Sequence, residues 1–474
     1  MMRPIRSGIL AAALLAVGCA PPAPPPSVLL VTIDTLRPDR IGCYGGPGGL
    51  TPRMDRLAAE GVLFERATTS LPRTTQSIAS LMTGRYPRGH GARGLFSYLP
   101  AANRTLAEIL KERGYATGAI VSNVFLRPGQ GFEQGFDHYD NPPGRWDGNS
   151  AEAITAAAIA WLDALPPGTP WFLWVHYLDP HWTYDPGPPF DRDPRGGPGG
   201  RPAVYADLEA RQVTKGEVIF GGRLDAASID RIRDLYDGEI ARTDAALGPL
   251  LDRAAGRDRS GPPLVVLTSD HGESLGEHGY YFAHGEYLYE PGLRIPLLFS
   301  RPGTIDQGFR SPALAQNIDI APTILALLGL HRMPSIDGRP LFVPADPVTL
   351  VAFRAAPGRD LVFAESDFQL IHPENRRYHI PGPAGRWSAV SDGRLKVIRI
   401  PRPGGDLFET YDLETDPGET RALPEGAADP AARARLLRAL VDFSDHEAGA
   451  GAVLPTNSEW DEQRERLRSL GYVN

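Results

Sequence analysis

The chain alternates short, unbroken apolar runs with helical patterns, and this alternation leaves few folds open to it. Buried strands are predicted by the runs "SVLLVTIDT", "YATGAIVS", "PWFLWVHYLD", "PLVVLTSD" and "RIPLLFS". Helical patterns lie between and after them, at 51–61, 151–164, 226–255 and 320–328. Strands that alternate with helices build a sheet covered by helices on both faces. The sequence therefore predicts an α/β fold.

The pattern of strand-like and helical segments changes in the last quarter of the chain, and this change indicates a smaller second unit. After about residue 344, "WSAVSDGRLKVIRI" places the turn "SDGR" between two strand-like runs, and a helical pattern follows at 429–443. We predict a main domain over residues 28–344 and a small antiparallel subdomain with a helix over residues 345–474. The net charge of −8 argues against nucleic acid as a partner, because phosphate binding needs a positive surface.

The N-terminus has the pattern of a targeting segment. Arg3 and Arg6 precede the apolar run "ILAAALLAV", which is too short to span a bilayer. The following "AVGCA" resembles the lipobox of bacterial lipoproteins. It implies a signal peptide over residues 1–18, a lipid on Cys19, and a protein anchored in the bacterial cell envelope, facing the periplasm or the exterior. Residues 19–27 form a Pro-rich tether. An ordinary cleaved signal peptide is the alternative.

Metal-ligating residue types follow two of the predicted strands. Asp34 ends one strand, and Asp270 with His271 ends another. The carboxyl ends of such strands meet in one crevice, so distant parts of the chain are brought together there. Carboxylates with an imidazole suit a borderline divalent metal such as Zn²⁺ or Mn²⁺. His278 and His284 follow on the same Gly-rich segment, which favours a site over a polar loop with satisfied histidines.

Several longer pieces carry a family resemblance when they are taken in order. They are "LLVTIDTLRPDRIGCYG", "TGRYPRGHG", "WVHYLDPHWTY", "TSDHGESLGEHG", "LYEPGLRIPLLF" and "ETYDLETDPGE". In order and spacing the chain resembles the sulfatase family of the alkaline phosphatase superfamily. The resemblance implies a large mixed, mainly parallel sheet between helices, with a small C-terminal antiparallel sheet. It also implies that Asp34, Asp270 and His271 hold a divalent metal (Ca²⁺, Mn²⁺ or Zn²⁺). Thr35 stands where the family often has a second acid.

The nucleophile segment departs from the family pattern. In sulfatases a Cys or Ser, oxidised to formylglycine, stands nine residues before a Thr-Gly pair. Counting back from Thr83 puts Thr74 in that place, and Gln76 and Ile78 replace the usual Pro and Arg. Threonine cannot give the aldehyde, but its hydroxyl can attack if a metal lowers its pKa. We therefore predict Thr74 as nucleophile and metal contact. In an inactive homologue it would be only a helix N-cap.

A covalent threonine ester favours phosphorus over sulfur. The ester has no neighbouring hydroxyl to expel it, so water must attack the central atom again. Phosphorus permits this second displacement readily, whereas a simple alkyl sulfate is far more inert. Other branches of the superfamily use Thr at this position for phosphoryl transfer.

Histidines and an arginine supply the predicted substrate contacts. By family position, His181 is the candidate to contact the anionic group or to protonate the leaving oxygen. His284 falls where many sulfatases carry a substrate-binding Lys. His176, His278 and Arg88 are further candidate substrate contacts.

The predicted site has fewer cationic side chains than the family pattern, and this difference favours a substrate with a low negative charge. The family's "GKWHLG"-like piece, with a Lys and a His, is replaced by "AIVSNVFL" around Asn123. A phosphodiester or a sulfate ester carries about one negative charge, and a phosphate monoester carries roughly −1.5 to −2. Arg73, Arg88 or Lys215 could compensate.

Together these features predict a divalent-metal-dependent hydrolase that cleaves a small anionic ester, a phosphate diester or a sulfate, through a covalent Thr intermediate. Three alternatives remain open. They are an arylsulfatase-type hydrolase, a phosphoethanolamine-type head-group transferase, and a lipid-anchored binding protein without turnover. The partners expected are the ester and, through the lipid, a membrane.

The lipidation prediction can be tested by metabolic labelling with palmitate. The intact chain should take up label and Cys19→Ser should not, because the lipid needs the Cys19 thiol. Cys43→Ser removes the only other cysteine and should label normally. Equal label in the intact chain and in Cys19→Ser would contradict the prediction.

Overall fold

The computed structural model describes residues 25–94, 97–142, 150–191, 202–221, 223–257, 261–330, 333, 335–345, 352–366, 380 and 383–445. The predicted signal peptide and Cys19 lie outside the described residues. The strands are β1 Val28–Ile33, β2 Val62–Thr68, β3 Ala116–Val121, β4 His138–Asp140, β5 Trp171–Tyr177, β6 Leu264–Ser269, β7 Ser274–Leu275, β8 Tyr281–Ala283, β9 Arg294–Ile295, β10 Leu297–Ser300, β11 Phe309–Gln316, β12 Phe342–Pro344, β13 Phe353–Ala355, β14 Val362–Glu365, β15 Ser388–Ser391, β16 Leu395–Ile400 and β17 Leu407–Asp412.

The α helices are α1 Pro52–Ala59, α2 Thr74–Thr83, α3 Pro87–His90, α4 Leu106–Glu112, α5 Ala151–Ala164, α6 Ala203–Ala210, α7 Lys215–Ile219, α8 Ala226–Ala255, α9 Glu290–Leu293, α10 Ile320–Leu327 and α11 Pro430–Asp445. None of these helices is long and apolar enough to cross a membrane.

One large mixed sheet forms the centre of the molecule. Its strand order is β11-β2-β10-β6-β1-β5-β3-β4, and β9 pairs with β2 at one end. The pairs β1–β5, β1–β6, β3–β5, β3–β4 and β2–β11 are parallel, whereas β10 runs antiparallel to both its neighbours. The sheet is therefore mixed and mainly parallel, as predicted.

The side chains of β1 alternate between two apolar cores. Val28 and Leu30 pack in the core on the side of α2, α4 and α10. Leu29, Val31 and Ile33 pack in the core on the side of α1, α5 and α8. Because helices cover both faces, every position of the strand is buried, and all of its residues except Thr32 are apolar. The predicted arrangement of a sheet between helices is confirmed.

A small antiparallel sheet follows near the end of the chain. Its order is β14-β15-β16-β17, and the predicted hairpin is the pair β15–β16. On one face, Leu436 and Leu440 of α11 pack against Val390 and Val397. The predicted C-terminal sheet with its helix is thus confirmed. The boundary between residues 344 and 345 stays a prediction; the four-stranded sheet itself begins at Val362.

Candidate active site

Two acids and a histidine converge at the carboxyl ends of β1 and β6. These strands pair in parallel, with Ile33 opposite Ser269, so the residues that follow them lie side by side. His271 Nε2 lies 3.4 Å from Asp270 Oδ2 and 3.8 Å from Asp34 Oδ1. All three residues are fully buried, and each offers a ligand atom within 4.8 Å of the others. Within the described ranges, no other group of three His, Cys, Asp or Glu residues has this spacing.

Backbone contacts aim the ligand atoms of the second strand inward. Asp270 Oδ1 accepts hydrogen bonds from the backbone N–H groups of Thr35 and His271, at 3.2 and 2.8 Å. Its Oδ2 is buried without a hydrogen-bond partner among the described residues. His271 Nδ1 lies 2.9 Å from the Gly272 carbonyl oxygen, which can only accept. The proton is therefore on Nδ1, and Nε2 presents a lone pair toward the acids.

Asp34 is oriented from behind by an amide and an imidazole. Asn123 Nδ2 donates to Asp34 Oδ2 at 2.8 Å, and His176 Nε2 lies 3.6 Å from the same oxygen. Asp34 Oδ1 is buried and has no hydrogen-bond partner in the described structure. His176 is fully buried and its Nδ1 lies 2.8 Å from Thr32 Oγ1. The structure therefore places His176 between Thr32 and Asp34, and its contact with substrate stays a prediction.

The two carboxyl groups are both buried from solvent, and this burial affects the pKa of each. Burial raises the pKa of Asp270, and the nearby Asp34 carboxylate raises it further. Burial opposes ionisation of Asp34 as well, but His176, His181 and His271 outweigh it and lower its pKa. A cation between the acids would relieve their repulsion and use the unpartnered oxygens. The donor set thus fits a divalent metal.

Thr74 begins α2 beside this cluster. Its Oγ1 lies 3.5 Å from His271 Nε2, and the residue is 6% exposed. Ser77, one turn later, donates from Oγ to the Asp270 carbonyl oxygen at 2.6 Å. Asn317 Nδ2 in turn donates to Ser77 Oγ at 2.9 Å. The start of α2 is therefore fastened to the end of β6, and the predicted nucleophile is brought to the predicted metal ligands.

Two further histidines lie on the open side of the cluster. The ring of His284 is 4.2 Å from that of His271, and the ring of His181 is 5.3 Å from that of His284. His181 Nδ1 lies 2.7 Å from the Trp182 carbonyl oxygen, so its Nε2 bears the lone pair. Burial lowers the pKa of both rings, and Asp34 opposes this effect at His181. The structure thus brings together both predicted substrate-side histidines.

Glu273 belongs to the site although sequence reasoning did not single it out. Its Oε1 lies 2.9 Å from His284 Nδ1, and Tyr184 donates to its Oε2 at 3.2 Å. The carboxyl group is fully buried, and burial raises its pKa well above the usual range. The one available signal was its place in "SDHGE", two residues after His271. Asn123 was likewise noted only for the family residues that it replaces.

Two cations lie near His284 and supply positive charge to the site. Arg73 immediately precedes Thr74, and its Nη2 donates to Glu286 Oε1 at 3.4 Å. Burial, followed by the charge of Arg73, lowers the pKa of Lys215 to about 7. Burial lowers the pKa of His284, and the charges of Arg73 and Lys215 are among those that lower it further. Part of the positive charge missing from the family motif is thus present from other segments.

Two predicted substrate contacts are engaged elsewhere. Arg88 donates from Nη1 to the Phe443 carbonyl oxygen at 2.6 Å and covers the Phe443 ring at 4.0 Å, so it packs against α11. His278 stacks on Tyr289, with ring centres 3.5 Å apart. The structure thus places both side chains against neighbouring rings, and their contact with substrate stays a prediction. Thr35 also turns its hydroxyl away from the acids, toward the Pro180 carbonyl oxygen.

A mixed α/β sheet whose central strands end in buried acids, an imidazole and a nearby hydroxyl is the framework of a hydrolase that acts on ester bonds. The family model for sulfatases matches residues 26–330. The chain therefore belongs to the sulfatase family.

Relatives and solved structures agree with this assignment. The chain is 25% identical to N-acetylglucosamine-6-O-sulfatase of Bacteroides thetaiotaomicron, over 91% of this chain and 89% of the relative. It is 27% identical to human arylsulfatase A, over 90% and 88%. Its fold matches a protein solved with its substrate D-glucosamine-2-N,6-O-disulfate, with TM-score 0.70, 22% identity, and 89% and 98% coverage. It also matches the phosphonate monoester hydrolase of Agrobacterium radiobacter, with TM-score 0.69, 22% identity, and 90% and 96% coverage.

The low pKa of Lys215 predicts a pH-dependent affinity for anionic substrates. The side chain is charged below about pH 7 and neutral above it. The KM for an anionic ester should therefore rise as the pH increases from about 6 to about 8, because attraction to the ammonium is lost. In Lys215→Met the KM should stay at its high-pH value throughout, whereas the exposed Lys111→Met should keep the original profile. Identical profiles in all three proteins would contradict the prediction.

Proposed function

We propose that this protein hydrolyses a singly charged ester, with a phosphate diester as the first candidate, by attack of Thr74 on the central atom. The observation that carries the proposal is the 3.5 Å contact of Thr74 Oγ1 with His271 Nε2, beside the unpartnered oxygens of Asp34 and Asp270. Members of the family that use formylglycine carry their nucleophile at the position of Thr74. Its hydroxyl is therefore in the right place for the same attack.

We further propose that Asp34, Asp270 and His271 hold one divalent cation, with Thr74 Oγ1 as a further ligand. Two carboxylates with an imidazole favour Zn²⁺ or Mn²⁺ over Ca²⁺, which prefers six to eight oxygens. Such a cation supplies positive charge that lowers the pKa of an adjacent hydroxyl and stabilises negative charge on the transferred group.

In the first step, Thr74 acts as the nucleophile. Because Thr74 is the first residue of α2, the partial positive charge of the helix N-terminus also favours its alkoxide. Thr74 Oγ1 forms a bond to the phosphorus or sulfur, and the bond to the leaving oxygen breaks. Water then attacks the same central atom and releases Thr74. Phosphorus tolerates this second displacement far better than sulfur does, so Thr74 favours a phosphate diester.

His181 and His284 are the groups available to move protons. His284 is held through Nδ1 by Glu273, which leaves its Nε2 for the substrate. His181 is held through Nδ1 by the Trp182 carbonyl oxygen, so Nε2 is the nitrogen that we propose faces the substrate. One of the two rings takes the Thr74 hydroxyl proton on Nε2 and passes it to the departing oxygen. The same ring then takes a proton from the attacking water and returns it to Thr74 Oγ1 as the threonine is released.

A sulfate ester is the second candidate, and the relatives favour it. Curated relatives are named for cleavage of sulfated N-acetylglucosamine and of aryl sulfates. A sulfate ester and a phosphate diester carry the same charge, so one site can accept both. The ion pair of Arg73 with Glu286 already offsets part of the local positive charge, which again favours a substrate with one negative charge.

We also propose that a lipid on Cys19 anchors the protein in the cell envelope. The motif "AVGCA" supports this, and the Pro-rich tether gives the catalytic domain reach from the bilayer.

The nucleophile can be tested with bis(p-nitrophenyl) phosphate, p-nitrophenyl phenylphosphonate, p-nitrophenyl sulfate and p-nitrophenyl phosphate. The singly charged phosphorus esters should react fastest and the doubly charged phosphate monoester slowest. Thr74→Ala should lose at least about a thousandfold in kcat on every ester, because it lacks the attacking oxygen. The matched variant is Thr83→Ala, whose hydroxyl bonds only within α2, to Ala79. It should keep most of the activity.

Each alternative has its own outcome in this assay. Unchanged rates in Thr74→Ala would refute the nucleophile. Fastest turnover of the sulfate would favour the arylsulfatase alternative, and transfer to an added alcohol in preference to water would favour the transferase. No turnover of any ester by the metal-loaded protein would favour the binding protein.

The metal proposal predicts an effect of the residue that orients Asp34. Asn123→Ala removes the hydrogen bond to Asp34 Oδ2 and should weaken Zn²⁺ or Mn²⁺ binding roughly 10- to 100-fold. Competition with a chromophoric chelator measures this without any activity assay. Asn103→Ala removes another buried asparagine, which contacts His90, and should bind metal normally. Equal affinity in the two variants would argue against metal binding at Asp34.

A further inference from the structure

A cavity lies between the main sheet and the C-terminal sheet. Its volume is about 270 Å³. It opens between β2 and β9 on one side and β14, β15 and β16 on the other. Asp34, Thr74, Asp270 and His271 do not line it, so it is separate from the candidate active site. An apolar cavity of about 150 Å³ is enough to hold benzene, so this one has room for a ring-sized body and a polar group.

Much of the wall of this inter-sheet cavity is apolar. The C-terminal sheet contributes Val362, Ala364 and Ala389, and the main domain contributes Leu293 and Leu314. All five side chains are buried, and none of them carries a hydrogen-bonding group. This part of the cavity is suited to an apolar group and not to a free inorganic ion.

The opposite wall carries a polar stripe formed by Arg66, Thr68 and Arg294. Arg66 and Thr68 lie two residues apart on β2 and therefore share a face. Arg294 on β9 is directly opposite Thr68, which puts its side chain on that face too. All three line the cavity. Arg66 reaches across toward the β15–β16 turn, since a side chain at Gly393 would meet its Nη1 at 3.3 Å.

The charges that line the cavity are unequally satisfied. Its carboxylates already have cationic partners: Glu65 pairs with Arg310, Glu290 with Lys396, and Glu414 with Arg394. By contrast, the Arg66 guanidinium has neither an ion pair nor a hydrogen bond with any described group. Arg294 donates from Nη2 to the Glu65 carbonyl oxygen at 3.0 Å, and its charge also acts on Asp39, but it forms an ion pair with none of the described carboxylates. Thr68 Oγ1 is buried, and no hydrogen-bond partner for it exists in the part of the chain that the structure describes. The stripe therefore offers the Arg66 guanidinium, the Thr68 hydroxyl and the remaining N–H groups of Arg294 to a ligand.

We propose that the inter-sheet cavity binds a small organic anion, an aryl or alkyl carboxylate or sulfate. Its apolar body lies against β14 and β15, and its anionic group is held by Arg66, Thr68 and Arg294. Two cations and a hydroxyl on one face match the geometry of such an oxyanion, because arginine donates in a planar fork. A neutral ligand would leave the arginine charges unmatched, and acetate would leave the apolar wall uncovered.

The experiment titrates the full chain calorimetrically with three probes: 3-phenylpropionate, its neutral analogue 3-phenylpropan-1-ol, and acetate. Saturable binding is expected for the first, with at least tenfold weaker binding for the other two. Arg66→Gln keeps the size of an exposed side chain and should weaken 3-phenylpropionate binding about tenfold, because one charge-assisted contact is lost. Ala389→Leu fills the apolar wall and should abolish binding. The matched charge control is Arg399→Gln, on β16 outside the cavity.

The outcomes are distinct. Weaker binding in Arg66→Gln but not in Arg399→Gln supports the site. Equal affinity for 3-phenylpropionate and its alcohol would overturn the role of the arginines. Unchanged binding in both Arg66→Gln and Ala389→Leu would assign the anion to another surface, and no saturable binding at all would refute the proposal. Circular dichroism measures whether Ala389→Leu is folded. If that variant does not fold, the exposed Arg66→Gln still tests the site.

Discussion

Two carboxyl groups without access to water stand side by side in this protein because β1 and β6 pair in register, and most of the site is arranged to hold them there. Backbone N–H groups satisfy one oxygen of Asp270, and the Asn123 amide satisfies one oxygen of Asp34, with the His176 ring nearby. Each acid keeps one oxygen that no described group satisfies. Such an arrangement is costly unless positive charge joins it. The cost itself is therefore the strongest physical indication of a bound cation.

The family's usual attacking group is replaced here, yet the framework around it is intact. In the proposed mechanism the Thr74 hydroxyl at the start of α2 takes the place of the aldehyde hydrate, and Ser77 joins the helix to the strand end. Under that proposal, water has to repeat the attack at the central atom after the first bond forms. This difference in the second step, and not the geometry of the first, is what favours phosphorus over sulfur.

Much of the fold and the centre of the site could be predicted from the sequence, for reasons that are local. Asp34 and Asp270 end unbroken apolar strands, and parallel strands leave few choices for where such ends meet. The strand β2, "VLFERAT", escaped prediction because the charged pair Glu65 and Arg66 interrupts its apolar run after three residues. Arg88 and His278 were predicted to contact substrate from their residue types. Their packing partners, Phe443 and Tyr289, lie on other elements, so these tertiary contacts could not be predicted from the local sequence.

The fastening of α2 to β6 through Ser77 and Asn317 has a further consequence for how this enzyme can change over time. The Thr74 hydroxyl and the carboxylates of Asp34 and Asp270 are held by α2 and the central strands. Their mutual distances therefore do not depend on the surface loops around the site. Surface segments can then diverge and recognise new esters while the reacting groups keep their preorganised geometry. A change of substrate would then need only altered loops, whereas the reacting groups and their geometry would stay the same.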